Sequence, residues 1–94
     1  MHTYYIGLND KDTKKQEIST DEAVKIIVNT IPCDFTFSIC NGVYTHHDGS
    51  KVCEVTIKIE SIKSLGNEML KLKKIFNQEC ILEVSNGFEI EKFI

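Results

Sequence analysis

Apolar positions along this chain fall into two spacings, and each change of spacing marks an element. Thr3 to Leu8 is a β-branched and aromatic run that stops at Asn9-Asp10-Lys11-Asp12, which predicts a first strand and then a polar loop to Gln16. Ser19-Thr20-Asp21-Glu22 reads as a capping box, with two acids at the positive end of the helix that follows. That helix buries Ala23, Val24, Ile27 and Ile31, and it must end by Ile31 because Pro32 disfavours a helical residue before it. Phe35 to Cys40 alternates with period two and runs on to Val43 and Tyr44, with a bulge expected at Gly42. His46 to Ser50 predicts a hairpin turn with Asp48-Gly49 supplying a positive φ. The returning strand sets Cys53, Val55, Ile57 and Ile59 on one face and Glu54, Thr56, Lys58 and Glu60 on the other. Ser64 is expected to cap a second helix with the stripe Leu65, Met69, Leu72 and Phe76. Cys80 to Val84 predicts strand four, and Asn86-Gly87, a type I′ turn signal, folds Phe88 to Phe93 back as an extra strand.

The order is β-α-β-β-α-β plus a terminal strand. Right-handed crossovers set both helices on one face of an antiparallel sheet, a ferredoxin-like two-layer α+β sandwich in which residues 1–94 form a single domain. A chain of 94 residues buries enough surface for one modest core without metal or disulfide staples.

Composition narrows the function classes. No apolar run approaches the roughly 18 residues of a membrane span, and the N-terminus lacks the regions of a signal peptide, so a cytoplasmic protein is expected. The eleven basic residues are all lysine and the net charge is -3, so the bidentate guanidinium that suits phosphate and guanine recognition is missing and no direct nucleic-acid partner is expected. Tyr5 sits in a first strand like that of RNA-recognition motifs, yet the third strand carries none of the aromatics such a platform stacks bases on. Cys33, Cys40, Cys53 and Cys80 form no C-x-x-C pair, and Cys53 and Cys80 read as buried small hydrophobes in a reducing compartment.

Short motifs along most of the chain resemble those of a family of small bacterial domains of unknown function with the same element order. They are Tyr5-Ile6-Gly7-Leu8, Asp34-Phe35-Thr36, Gly42-Val43-Tyr44 with Asp48-Gly49, Glu54, and Phe76 to Leu82. Tyr44 stands where that family tends to carry tryptophan. The Lys-, Ile- and Asn-rich chain also resembles accessory proteins of phages and mobile elements in low-GC Gram-positive bacteria. The resemblance implies a fold and a genomic context; it supplies no catalytic residue.

No catalytic constellation is legible. The five glycines make no phosphate loop, and Asp10 and Asp12 are too sparse for a calcium loop. His46, His47 and Asp48 are weak metal candidates, because adjacent histidines on extended backbone diverge and no further ligand follows at a metal-binding spacing. Neither cofactor nor metal is therefore expected. Glu79, Glu83, Glu89 and Glu91, with Tyr44 at the hairpin, make up an expected acidic partner-binding surface. The leading expectation is a non-enzymatic protein-binding module that occupies a basic surface of a host protein, such as a CRISPR or other defence nuclease. The alternatives are a small-molecule or metal-binding domain, enzymatic in one form, and a homo-oligomer built through a sheet face or edge strand.

Overall fold

The computed structural model describes residues 1–45, 48–85 and 90–94, apart from the side chains of 90–92. The elements are β1 (His2–Gly7), α1 (Thr20–Thr30), β2 (Thr36–Thr45), β3 (Lys51–Ser61), α2 (Gly66–Ile75), β4 (Leu82–Ser85) and β5 (Ile90–Phe93). They build a five-stranded sheet in the order β2-β3-β1-β4-β5, with antiparallel pairing throughout. Its first four strands have the ferredoxin-like order, and β5 extends that sheet beyond β4. The expected two-layer sandwich is therefore the observed one.

Register explains which face is buried. Tyr4 and Ile6 of β1 lie opposite Ile59 and Ile57 of β3, and all four are fully buried beneath Ala23 and Ile27 of α1 and Met69 and Leu72 of α2. The capping hydroxyl of Ser19 accepts from the Glu22 N–H at 3.2 Å, and α1 stops at Thr30, just before Ile31-Pro32. No described helix is long and apolar enough to cross a membrane.

Four local expectations are corrected. The residue preceding α2 is Leu65, not Ser64, and it has no side-chain cap; its N–H donates at 2.7 Å to the buried hydroxyl of Tyr4, which does the capping from the sheet. Burial pushes the Tyr4 phenol up in pKa. Gly42 is not a bulge, since β2 pairs with β3 without interruption from Thr36 to Thr45. Cys53 and Cys80 are exposed, because Cys53 lies where the β2–β3 hairpin extends past the helices and Cys80 lies in the junction before β4.

Glu83 is the fourth. It points to the helix side and is only 5% exposed, with its Oε2 3.1 Å from the His2 ring and 3.2 Å from the Ser85 hydroxyl. A carboxylate buried and partnered in this way contributes nothing to a solvated acidic surface. Ile81 and Glu83 share the inward parity of β4 while Leu82 faces the other way, opposite Tyr5; the apolar run from 80 to 82 left that parity ambiguous in sequence. Glu89, His46 and His47, and the side chain of Glu91, fall outside the described residues. Asp48 is exposed and accepts from the Ser50 N–H at 2.8 Å and from its hydroxyl at 2.6 Å.

The helices cover β1, β3 and β4 but leave the edge strand β2 largely bare on the same side. Ile39, directly opposite the fully buried Ile57, is 53% exposed, and Val43 is 59% exposed. Ile57→Ala should therefore cost about 2–5 kcal/mol, which lowers the melting temperature of a domain this size by roughly ten degrees or more. Ile39→Ala should cost under about 1 kcal/mol. Thermal denaturation of both variants checks this; equal losses would mean that β2 is covered in solution.

Candidate functional site

The sheet face away from the helices carries the polar parity of β3: Glu54, Thr56, Lys58 and Glu60. Solvent is the ordinary surrounding for such a row, and Lys58 behaves accordingly, half-exposed with its ammonium 6.0 Å from the ring centre of its cross-strand neighbour Tyr5. Thr56, buried, and Glu54, half-buried, do not. Glu54 lies in a depression cut by two glycines, Gly42 in the interior of β2 and Gly7 at the end of β1, where a missing side chain signals a close approach. Gly42 is its direct partner on β2, and Gly7 is its diagonal neighbour on β1.

Added methyl groups make the point. A Cβ at Gly7 would overlap the Glu54 carboxylate itself. One at Gly42 would lie 2.6–2.7 Å from the ring and hydroxyl of Tyr44 and from the Thr56 hydroxyl, since Tyr44 leans back along its own strand. The two glycines thus lower the floor on both sides of one carboxylate, and Tyr44 forms a wall.

The resulting cavity has a volume of about 620 Å³ and runs from Tyr44 across Glu54 and Tyr5 to Leu82 and Phe93. A smaller depression of about 140 Å³ shares Glu54, Tyr44 and Gln78 and extends toward Asn9 and Asp10. The lining is apolar and aromatic with a few polar groups, the usual make-up of a small-molecule site, and its size is in the range for one.

Electrostatics single out Glu54 within it. Burial raises its carboxyl above the usual carboxylate range, and the Asn9 N–H, donating to Oε2 at 2.9 Å, opposes part of that rise. Among the described residues no lysine or histidine forms an ion pair with it. Lys14 lines the cavity, but its ammonium is turned to the Lys11 carbonyl. A partly desolvated anion with no counter-cation attracts a positively charged ligand, and the two tyrosines around it suit a cation or a flat ring.

The loop that supplies the Asn9 N–H is pinned from α2. Asn77, at φ 48°, takes the left-handed position after the helix, and the bonds Gln78 N–H to Lys73 C=O (2.9 Å) and Asn77 N–H to Lys74 C=O (3.2 Å) make a Schellman cap. Asn77 Nδ2 then donates to the carboxylates of Asp10 and Asp12 at 3.0 and 2.8 Å, while the Lys11 N–H donates to the Asn77 carbonyl at 2.9 Å. Asp10 also accepts the N–H groups of Asp12 and Thr13, and these bonds hold its carboxyl below the usual range. The two aspartates therefore serve the loop. No cluster of three or more metal-ligating side chains occurs among the described residues.

Of the residues singled out in sequence as a partner surface, Tyr44 and the exposed Glu79 come together in this cavity, whereas Glu83 lies on the opposite side of the sheet. Glu54, Tyr5, Gly7 and Gln78 were not given a functional role by sequence reasoning. A usable signal existed in the pairing of strand glycines at 7 and 42 with one acid on the polar parity of β3.

No family model matches the chain, and no curated relative matches it. Its fold is similar to that of a phage SAM lyase, solved in complex with S-methyl-5′-thioadenosine (TM-score 0.68) and in an apo state (TM-score 0.64). Each match has 21% identity and covers 97% of this chain and 82% of that one.

Proposed function

We propose that this chain is a small enzyme that binds an adenosyl sulfonium compound in the Glu54 cavity and cleaves it, with S-adenosylmethionine as substrate. The carrying observation is the uncompensated carboxylate of Glu54, set between two glycines and two tyrosines in a cavity of adenosine-compatible size. The fold-level likeness to a phage SAM lyase supports the choice of sulfonium over other cations, and it supports a phage or mobile-element origin.

The chemistry also accounts for the absence of a catalytic constellation in the sequence. In S-adenosylmethionine the leaving group is the sulfonium, and a nucleophile, the amino-acid carboxylate, is in the same molecule. Attack of that carboxylate on the γ-carbon breaks the Cγ–S bond, and the bonding pair goes to sulfur. The products are the neutral thioether S-methyl-5′-thioadenosine and homoserine lactone, which keeps its ammonium charge; no proton moves. Neither a general base nor a protein nucleophile is needed. Catalysis then consists of folding the substrate so that carboxylate and sulfonium align, and of excluding water from a reaction that cancels charge.

In this scheme Glu54 holds the cationic amino-acid end, while Tyr5 and Tyr44 pack against the adenosyl and sulfonium groups. A carboxylate aimed at the sulfonium alone would stabilise the ground state more than the charge-cancelled transition state. An ammonium partner keeps its charge throughout, so Glu54 can orient without that penalty.

The exposed apolar side of β2 at Phe37, Ile39 and Val43 favours a second reading, a protein-binding module that occupies a host protein such as a defence nuclease. Under that reading, substitutions on β2 abolish function and substitutions at Glu54 do not.

Incubation of the purified protein with S-adenosylmethionine, followed by chromatography and mass spectrometry, should give S-methyl-5′-thioadenosine and homoserine lactone in equal amounts. No product above the buffer control, with no binding of either adenosyl compound at millimolar concentration, contradicts the proposal. Glu54→Gln should weaken binding of the cationic substrate roughly tenfold to a hundredfold and that of the neutral thioether far less. In the wild type, substrate affinity should fall as pH drops through the raised Glu54 titration, while thioether affinity stays level.

Stability should move the opposite way. Because the folded carboxyl binds its proton more readily than the unfolded one, ionised Glu54 destabilises the fold above its folded-state pKa, and that cost disappears once pH falls below the unfolded value. Glu54→Gln should therefore melt at or above the wild-type temperature at neutral pH, with the gap closing toward pH 4 and below. A lower melting temperature for the variant at neutral pH would contradict this.

A further inference from the structure

Gln78 is 8% exposed, although it lies at the junction after α2 and lines the Glu54 cavity. Its amide is committed on the nitrogen side: Nε2 donates to the Asn9 carbonyl at 2.6 Å and to the Phe76 carbonyl at 3.4 Å. Asn9 in turn donates its own N–H to Glu54 Oε2 at 2.9 Å. One residue of loop backbone is thus gripped at its oxygen by the junction after α2 and presents its N–H to the carboxylate. The Schellman cap fixes where Gln78 starts, and the Asn77 bonds to Asp10 and Asp12 fix the loop on the far side of Asn9. The backbone bond to Glu54 therefore depends on a side chain whose own bonds go to carbonyl oxygens and not to Glu54.

We infer that Gln78 is the positioning residue of the site: by holding the Asn9 peptide it aims the N–H that orients the Glu54 carboxylate toward the cavity. The assignment rests on Glu54 being the anionic group of the site, and it extends that reading to a residue that acts on the carboxylate through the Asn9 peptide. Loss of the grip frees the Asn9 peptide to rotate. The carboxylate then keeps its desolvation and loses the bond that opposes it.

The test needs no ligand, so its failure is separate from a failure of sulfonium cleavage. Glu54 is titrated by carboxyl ¹³C NMR, with the Asn9 amide followed in parallel, in the wild type, in Gln78→Leu and in Gln78→Asn. Leucine preserves bulk without a donor, and asparagine keeps the amide but falls one methylene short of the Asn9 carbonyl. Among the described residues the other titratable groups lining the cavity are Lys14 of the loop after β1, Glu79 and Cys80 of the junction before β4, and Tyr5 and Tyr44 of the sheet; both variants leave them in place.

In the wild type the Asn9 amide should follow the Glu54 titration. In each folded variant the Glu54 titration should move to still higher pH, and the Asn9 amide should stop following it. A Gln78 that served only to pack would lower the melting temperature and leave the titration of Glu54 where it was. That result, or an Asn9 amide in the wild type that ignores Glu54, overturns the assignment.

Discussion

A carboxylate partly withdrawn from water, with no ion-pairing lysine or histidine among the described residues, is the constraint around which the open side of this domain is built. Its desolvation is opposed by one backbone N–H, and everything nearby makes that arrangement possible. Gly7 and Gly42 make room for the acid at the cost of two weak positions in neighbouring strands. Tyr44 lies back over Gly42 and walls the depression. The loop after β1 is stapled to the end of α2 by Asn77 and Gln78, so that Asn9 is held rigidly enough to donate. A site of this kind stores free energy that a cationic ligand recovers on binding.

The two faces of the sheet divide the labour. On the helix side, the two large polar side chains of β1 and β4 are paired off: Tyr4 caps α2 through Leu65, and Glu83 rests against His2 and Ser85. On the open side, Glu54 accepts one backbone N–H and, among the described residues, has no ion-pair partner. Both acids are partly or wholly buried on adjacent parts of one sheet, and only the one lacking a cationic or imidazole neighbour is suited to recognise charge. Under the proposed function, a substrate that carries its own nucleophile and leaving group would suit such a site, because the protein would need only to bind, bend and dry it.

Much of the fold was legible because local signals agreed with one another. The Ser19 cap, the stop before Pro32, the inward parity of Val55 to Ile59 and the stripe from Leu65 to Phe76 each depend on residues close in sequence, and each holds. What was not legible depends on distant partners. The cap on α2 comes from Tyr4, 61 residues away in sequence, and the inward turn of Glu83 becomes clear only when β4 pairs with β1. Glu54 stood in an ordinary polar row; its burial follows from glycines on two other strands, which only the register brings beside it. The Gln78 to Asn9 to Glu54 relay joins three segments and has no signature within any one of them.

Chemical-shift mapping with S-adenosylmethionine tests the central claim most directly, since it locates the ligand without presupposing turnover. The account predicts the largest perturbations at Gly7, Asn9, Gly42, Glu54 and Gln78, with little change at Ile39 and Val43 on the opposite side. Perturbations confined to the β2 side, or none at saturating concentration, would contradict it.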